Sequence, residues 1–232
     1  MNVCETCGKP LETDKPYRLG LTSQEWVPCL CDCQKGELDA AEAEEREAAK
    51  ERRRIERVFP SLAYGDMVFE RAARSDCLVK AWRFAKGFGS IRPTGCGLLL
   101  KGGRGGGKTF AAACIANELS RQGCNVRFVS VPELCKTGRE WGDDPTKGIK
   151  GLDLLVLDDM GAERSTEYAQ EQLFRAVDAA YAAKVPMIVT TNCEELEGRA
   201  WSRVSAVCAL VEVKSVQRDG SGLGVVREVI GV

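Results

Sequence analysis

Residues 97–119 read GLLLKGGRGGGKTFAAACIANEL, in which an apolar run leads into a glycine-rich loop and then into an alanine-rich segment. The run has the length of a buried strand, and Ala111, Ile115 and Leu119 fall on one face of a helix. The spacing G-x-x-x-x-G-K-T begins at Gly102, and it is the phosphate-binding motif when a strand precedes it and a helix follows. This stretch therefore predicts a strand–loop–helix unit that binds nucleotide phosphates.

The chemistry of the loop follows from its residue types. Glycines allow the backbone to wrap phosphate oxygens with its N–H groups, and the helix directs its positive dipole end at them. We expect Lys108 to reach the β- and γ-phosphates of ATP and the Thr109 hydroxyl to contact Mg²⁺. The candidate nucleotide-binding residues here are Gly102, Gly103, Arg104, Gly105, Gly106, Gly107, Lys108, Thr109 and Phe110.

Two acidic residues, Asp158 and Asp159, follow the apolar run LLVL at residues 154–157. Ligands of open α/β sheets bind beyond the carboxyl ends of the strands. We expect Asp158 to hold Mg²⁺, directly or through water, and Asp159 to orient or deprotonate the attacking water. A capping pair of acids is the alternative, but the position of the pair about 50 residues after the loop favours the magnesium site.

Asn192 follows a third apolar run, MIVTT at residues 187–191. A polar side chain at this strand end, beside the γ-phosphate, would sense the phosphate or position water. Asparagine is also a common turn residue. From the residues alone, both interpretations stay open.

Apolar runs of strand length recur along the chain, and helical patterns lie between most of them. Alternation of this kind indicates an α/β fold with a parallel sheet that helices cover on both faces. We expect Ser165 to be the N-cap of the helix that contains Leu173. The predicted strands are 97–100, 126–131, 152–157, 187–191 and 210–213.

Composition limits the class of protein. The 232 residues suffice for one medium domain and a small appendage, and 44% of them are apolar. A net charge of -1 favours no particular partner, although a local basic patch can still bind nucleic acid. No apolar run is long enough to cross a bilayer, and the start MNVCETCGKP lacks the pattern of a secretion signal. We therefore expect a cytoplasmic protein without a membrane partner.

Five of the 12 cysteines lie within residues 1–36. The C-x-x-C spacing with a following glycine is typical of a zinc knuckle, and four thiolates complete a tetrahedral structural Zn²⁺ site. The segment is too small and polar to form its own core, so Zn²⁺ would supply its folding energy. Unrelated free thiols are the alternative. The candidate ligands are Cys4, Cys7, Cys31 and Cys33, and Cys29 could replace either of the last two.

Residues 37–58 read ELDAAEAEEREAAKERRRIERV and carry opposite charges three and four positions apart. This pattern predicts a solvated helix that ends before Pro60. A linker helix is favoured over a nucleic-acid contact through the arginines at 52–54. The expected division of the chain is a zinc-binding module at 1–36, a charged linker helix at 37–59 and a nucleotide-binding domain at 60–232.

In order and spacing, the motifs resemble those of the DnaC/DnaI-type helicase loaders, which are AAA+ ATPases related to the IstB-type transposition helper ATPases. The resemblance rests on GLLLKGGRGGGKT, LLVLDDMGAER, IVTTN, the R-x-x-x-R at residues 199–203 and VEVK at residues 211–214. The cysteine-rich start and charged helix resemble the DnaI-like and phage-encoded members. The resemblance implies an AAA+ fold with a central P-loop strand.

Several residue roles are implied by the resemblance alone. Arg199 and Arg203 match the R-x-x-x-R pair of that family. There, arginine reaches into the ATP of a neighbouring subunit, where it would stabilise transition-state charge. By residue type alone, a solvated helix face is the alternative for both. Phe69, in GDMVFERA, would lie near adenine. The remaining matches are Lys108 and Thr109 with Walker A, Asp158 and Asp159 with Walker B, and Asn192 with the first sensor.

The resemblance implies an ATPase that loads a hexameric replicative helicase onto single-stranded DNA. ATP binding and hydrolysis would switch between assembly and release, and the protein would self-associate when bound to ATP and helicase or DNA. Lys136, Arg139 and Trp141 either contact a DNA strand or belong to a solvated loop. Two other functions remain open: a transposition helper that binds duplex DNA, and a nucleotide-dependent adaptor with negligible turnover.

Overall fold

The structure is a computed structural model with two compact units, residues 1–53 and 54–232, and each is described by itself. None of the helices in the described ranges is long and apolar enough to cross a membrane. The described residues are 3–10, 12–13, 27–28, 31–72, 75–136, 144–162, 166–195 and 197–214.

The first unit contains two short strands and most of a long helix. The strands β1 (Glu12–Thr13) and β2 (Val27–Pro28) pair in antiparallel orientation. The helix α1 spans Asp32–Val58, and its exposed Arg46 donates to Glu42 at 2.8 Å, one turn away. The predicted charged helix is therefore present, with the expected pairing of charges along its surface.

The helix α1 begins five residues earlier than residue 37, the predicted start. Gly36 lies inside this extension, although glycine lowers helix propensity. Asp32 lies in the first turn, where its negative charge stabilises the amino-terminal end of a helix. As a result, Cys33 lies within the helix and not in a preceding loop. The division between the two units falls inside α1, after Arg53.

The second unit is built on a parallel sheet, as predicted. Its strands are β3 (Gly97–Gly102), β4 (Val126–Ser130), β5 (Leu154–Asp158), β6 (Met187–Thr191) and β7 (Cys208–Val213). Their order is β4–β5–β6–β3–β7, so the strand that precedes the P-loop pairs with β6 and β7. Because all the strands run in one direction, their carboxyl ends meet at one edge of the sheet.

Helices alternate with these strands, which confirms the α/β fold. They are α2 (Asp76–Lys86), α3 (Phe88–Ile91), α4 (Lys108–Arg121), α5 (Val131–Lys136), α6 (Glu167–Ala182) and α7 (Arg199–Val207). Short 3₁₀ turns occupy Leu62–Asp66, Phe69–Arg71, Arg92–Thr94 and Ile149–Gly151.

Successive residues of β3 supply the two layers of the core. Leu98 and Leu100 pack in one cluster with Ile115 of α4, whereas Leu99 packs in the other with Val177 of α6. A strand covered on both faces needs apolar side chains at consecutive positions, which explains the unbroken run in the sequence. The helix α4 meets this sheet with the fully buried run of alanines at 111–113, so its backbone can approach closely and hold the preceding loop in place.

The helix α6 begins at Glu167, one residue later than an N-cap at Ser165 would place its first residue. The Thr166 hydroxyl accepts a hydrogen bond from the Ala169 N–H at 3.1 Å, so Thr166 is the N-cap. The predicted cap, Ser165, lies outside the described residues.

Candidate functional site

The loop from Gly102 to Gly107 turns from β3 into α4 at the carboxyl edge of the sheet. Gly107 precedes the first helical residue in a left-handed conformation with φ of 78°, which glycine adopts without steric cost. A side chain on Gly102 would place its Cβ 2.0 Å from the carbonyl oxygen of Val213. These glycines are therefore required by backbone conformation and by the close approach of β7.

Lys108, the first residue of α4, is buried beneath this loop. Its ammonium donates to the carbonyl oxygens of Gly102 and Gly103, at 2.8 Å each, and to Oδ1 of Asn192 at 2.7 Å. Burial lowers the pKa of Lys108, and the nearby Asp159 and Asp158 oppose that effect. The structure thus joins the loop to the end of β6 through one lysine.

Asp158, the last residue of β5, lies directly beside the P-loop helix. Its Oδ1 accepts from the Thr109 hydroxyl at 3.0 Å and from the Thr190 hydroxyl at 2.7 Å. Burial raises the pKa of Asp158, and the two hydroxyl donors oppose that effect. A hydroxyl and a carboxylate held this close form a set of oxygen donors that fits Mg²⁺.

Asp159 adopts a left-handed backbone conformation with φ of 61°, which is uncommon for a residue other than glycine. Its Oδ1 accepts from Nδ2 of Asn192 at 3.0 Å. Since Asn192 also accepts from Lys108, its amide bridges the lysine of the loop and the second acidic residue. The sequence offered two interpretations of Asn192, and the structure places its side chain among the predicted site residues.

Sequence reasoning missed Thr190, whose hydroxyl contacts both acidic residues. It donates to Asp158 at 2.7 Å and accepts from the backbone N–H of Asp159 at 2.9 Å. The only signal in the sequence was a polar residue near the end of an otherwise apolar strand. Threonine is common in strands, so this signal was not specific.

The structure places Arg199 and Arg203 on α7, against α6. The guanidinium of Arg199 lies over the Phe174 ring, 3.8 Å from its centre. Arg203 donates from Nε to Asp178 at 3.0 Å and lies 4.9 Å from the ring centre of Tyr181. Within the described part of the chain, neither arginine is recorded in contact with the P-loop, Asp158 or Asp159, so the two arginines are not brought to the site of their own chain.

Phe69 is half-buried in a 3₁₀ turn and lines a cavity of about 560 Å³ with Leu78 and Trp82 of α2. The amino-terminal turn of α2 lies near the P-loop. Burial raises the pKa of the Cys77 thiol, and the neighbouring Lys108 ammonium opposes this effect. The cavity is therefore lined by the same helix whose Cys77 lies close enough to Lys108 to interact with its charge. Two residues considered for DNA contact, Arg139 and Trp141, lie outside the described residues.

The first unit brings four thiols together, from Cys4, Cys7, Cys31 and Cys33. Their sulfur atoms all lie within 4.8 Å of one another, whereas tetrahedral Zn–S bonds of about 2.3 Å separate sulfurs by about 3.8 Å. The backbone N–H of Cys7, followed by the thiol of Cys31, lowers the pKa of Cys4 to about 7. Since metals bind the thiolate form, this donor set fits Zn²⁺. The alternative ligand, Cys29, lies outside the described residues.

The sequence matches the profile of a known protein family, and it is similar to proteins named as replicative helicase loaders. The sequence profile of the family described as "IstB-like ATP binding protein" matches residues 93–209. Replicative helicase loader DnaI of Bacillus subtilis (strain 168) is 36% identical over 88 residues, which are 36% of this chain and 28% of that protein. Replicative helicase loader DnaC of Escherichia coli (strain K12) is 28% identical over 145 residues, 58% of each chain. This chain thus spans less than two thirds of either relative.

A solved structure agrees with these matches. The crystal structure of DnaI superposes with a TM-score of 0.55 at 25% identity, covering 67% of this chain and 95% of that chain. The AAA+ fold implied by the sequence motifs is therefore confirmed, together with the resemblance to the helicase loaders.

Proposed function

The chain belongs to the IstB-like ATP binding protein family, and on that premise we propose that it is an ATP-dependent loader of a hexameric replicative helicase onto single-stranded DNA. Both relatives described above are named as replicative helicase loaders, which supports the loader role. One observation carries the ATP-dependent part: the 3.0 Å hydrogen bond from Thr109 to Asp158 joins the phosphate loop to the acidic end of β5. ATP binding would favour assembly, and hydrolysis would favour release.

The proposed nucleotide site uses the residues at the carboxyl edge of the sheet. When bound, Mg²⁺ would supply positive charge that offsets the negative charge of the ATP phosphates. Thr109 and Asp158 would hold the ion through their side-chain oxygens. Lys108 would exchange its contacts with the Gly102 and Gly103 carbonyls for phosphate oxygens, because a charged acceptor forms the stronger hydrogen bond. Phe69 would contact adenine from the adjoining cavity.

For hydrolysis, we propose that Asp159 orients the attacking water and that Asn192 responds to the γ-phosphate. The amide of Asn192 contacts both Lys108 and Asp159. When Lys108 turns toward phosphate, Asn192 loses its donor on one side and can release Asp159 on the other. This arrangement links occupancy of the loop to the freedom of the proposed water-orienting carboxylate.

Arg199 and Arg203 would act on the ATP of a neighbouring copy in an assembly formed with helicase or DNA. Their contacts in one chain are with α6, and Arg203 is about half exposed. An arginine supplied from a second subunit stabilises transition-state charge and makes hydrolysis depend on assembly. This requirement would keep turnover slow in the isolated protein.

The cysteine cluster would hold Zn²⁺ as a structural ion, with its four thiolates completing the coordination. We propose that residues 1–36 form a zinc-binding module that docks on the helicase. Residues 37–59 would act as the linker helix, and residues 60–232 as the AAA+ domain. A separate docking module allows the ATP site to change state while the partner stays bound.

The test is complex formation between the full chain and the replicative helicase of its host, followed by size-exclusion chromatography with light scattering. Wild-type protein is compared with Cys4→Ser/Cys7→Ser, which removes two proposed ligands. The matched control is Cys96→Ser/Cys124→Ser, because neither of these cysteines belongs to the cluster. Fluorescence anisotropy with labelled single-stranded and duplex DNA is measured in parallel, with and without ATP.

The proposal predicts an ATP-dependent complex that forms with the wild type and the control but is lost with Cys4→Ser/Cys7→Ser. It also predicts that ATP strengthens the binding of single-stranded DNA. Absence of a helicase complex under every nucleotide condition, with binding of duplex DNA instead, would contradict the loader and support a transposition helper. A helicase complex that forms and functions equally with Lys108→Ala would support an adaptor with negligible turnover.

A further inference from the structure

Thr190 occupies the point at which β6 passes the acidic end of β5. The two strands pair in parallel up to Leu157 and Val189, and Asp158 and Thr190 follow at the next positions. Thr190 is fully buried and belongs to the sheet, so its hydroxyl has little freedom to move. Its position is thus set by the fold and not by a mobile loop.

The Thr190 hydroxyl takes part in two hydrogen bonds, and their partners determine where its single proton points. The backbone N–H of Asp159 can only donate, so the hydroxyl oxygen accepts it at 2.9 Å. The hydroxyl proton is then directed to Oδ1 of Asp158 at 2.7 Å. One side chain therefore anchors the carboxylate of Asp158 and the backbone of Asp159.

Both anchored groups need such support. The Asp158 carboxylate is buried, and a buried charge requires hydrogen-bond donors that point at it. Asp159 has a left-handed backbone, which a residue with a side chain adopts only when neighbouring contacts hold it there. The Thr190 hydroxyl supplies one contact to each.

We propose that Thr190 is a positioning residue of the ATP site, which sets Asp158 for Mg²⁺ and holds Asp159 in its unusual backbone conformation. This inference rests on the proposed nucleotide site, and it adds to that site a residue that would contact neither ATP nor Mg²⁺. A positioning partner of a metal ligand typically contributes about 10- to 100-fold to metal affinity or activity.

The adjacent Thr191 provides a matched control. It is also fully buried, but its hydroxyl donates to the carbonyl oxygen of Met160 at 2.7 Å and accepts from the N–H of Cys193 at 3.0 Å. Replacing either threonine with valine removes one buried hydroxyl and keeps the shape of the side chain. Only Thr190→Val removes contacts with the two acidic residues.

The experiment compares the wild-type chain with Thr190→Val, Thr190→Ser and Thr191→Val in two assays. The first titrates Mg²⁺ against a fluorescent ATP analogue and measures steady-state hydrolysis. The second follows hydrogen–deuterium exchange of the peptide that contains Asp159, without nucleotide. Exchange reports the hydrogen bond of the Asp159 N–H directly and does not depend on catalysis.

In Thr190→Val we expect the Mg²⁺ requirement to rise and kcat to fall by roughly 10- to 100-fold, while KM for ATP changes little. The Asp159 amide should exchange faster than in the wild type. Thr190→Ser should restore both properties, and Thr191→Val should leave them close to wild type. If Thr190→Val matches Thr191→Val in hydrolysis, Mg²⁺ requirement and exchange, the inference is wrong.

The two assays separate this inference from the proposed function. If the wild type neither binds the analogue nor hydrolyses ATP, the nucleotide site itself is contradicted. Exchange then still decides the role of Thr190: faster exchange in Thr190→Val alone supports the positioning of Asp159, and unchanged exchange overturns it.

Discussion

The carboxyl edge of the sheet and the cysteine cluster both collect polar groups, but different forces hold them together. At the sheet edge, Lys108 and Asn192 are 84 positions apart in sequence, and strands with buried apolar runs bring them into contact. In the described part of residues 1–53, the buried apolar side chains are those of Cys4 and Cys31, which belong to the cluster itself. The first site is therefore positioned by a core, whereas the proposed Zn²⁺ would have to hold the second site together.

Loss of the metal is the largest effect that this comparison predicts. In Cys4→Ser/Cys7→Ser, zinc should fall from one ion per chain to none, and residues 1–31 should become sensitive to protease. Structural Zn²⁺ contributes roughly 10–16 kcal/mol to small metal-dependent folds, so the amino-terminal segment should not stay folded without it. Elemental analysis and limited proteolysis measure the two results.

The second unit should keep its unfolding midpoint in this variant, and Cys96→Ser/Cys124→Ser should keep its zinc. Wild-type protease resistance of residues 1–31 in the metal-free variant would show that a core, and not the metal, maintains the cluster.

A substitution that leaves a cavity beside the sheet should have the opposite result: it should destabilise the second unit and leave the amino-terminal cluster unaffected. Leu100 is fully buried in β3, so Leu100→Ala should lower the free energy of unfolding of the second unit by about 2–5 kcal/mol. The zinc content should stay unchanged, because the proposed cysteine ligands lie in the first unit. Chemical denaturation of the full chain, monitored with zinc analysis, tests both statements.

The control is Leu210→Ala in β7, where the side chain is 54% exposed. Its effect on the free energy of unfolding should stay within about 0.5 kcal/mol, the usual range for surface changes. Equal destabilisation by the two substitutions would show that burial of Leu100 in the core does not set its contribution to stability.

The Arg203–Asp178 pair should have the smallest effect on stability. Both side chains are 43% exposed, so Arg203→Ala should cost less than about 1 kcal/mol. If Arg203 acts on a neighbouring ATP, hydrolysis in the assembled complex should nevertheless fall by roughly 10³-fold or more. Thermal unfolding and turnover with helicase and DNA give the two values.

Asp178→Asn breaks the same ion pair and leaves the arginine in place, so it should retain hydrolysis. A loss of hydrolysis in Asp178→Asn equal to that in Arg203→Ala would instead assign Arg203 a local structural role.

The strands and the P-loop could be predicted because their signals are local. An unbroken run such as LLVL in β5 identifies a strand covered on both faces, and the glycine spacing identifies the turn that follows β3. Strand order was not visible, because it depends on pairing between distant segments. The thiol cluster was also accessible, since C-x-x-C spacing limits the geometry of its first pair.

The missed features depend on contacts between distant residues. Thr190 could not be recognised because its role arises from β5 lying beside β6. The contacts of Arg203 with Asp178 and Tyr181 join α7 directly to α6, although β6 lies between these two helices in the sequence. The early start of α1 at Asp32 was not predicted, because the change of composition falls at residue 37 and Gly36, with its low helix propensity, lies inside the extension.

The central claim is that the sheet edge binds Mg·ATP through Lys108, and isothermal titration calorimetry with a slowly hydrolysed ATP analogue tests it most directly. The control is Lys101→Ala, which removes the same charge from β3, where Lys101 donates to the carbonyl oxygen of Glu194 at 2.7 Å. We predict one site per chain in the wild type and in Lys101→Ala. Lys108→Ala should bind about 10- to 100-fold more weakly, because a hydrogen bond to a charged group contributes roughly 1.5–3 kcal/mol. Equal affinity of the two variants would contradict the assignment of this edge as the ATP site.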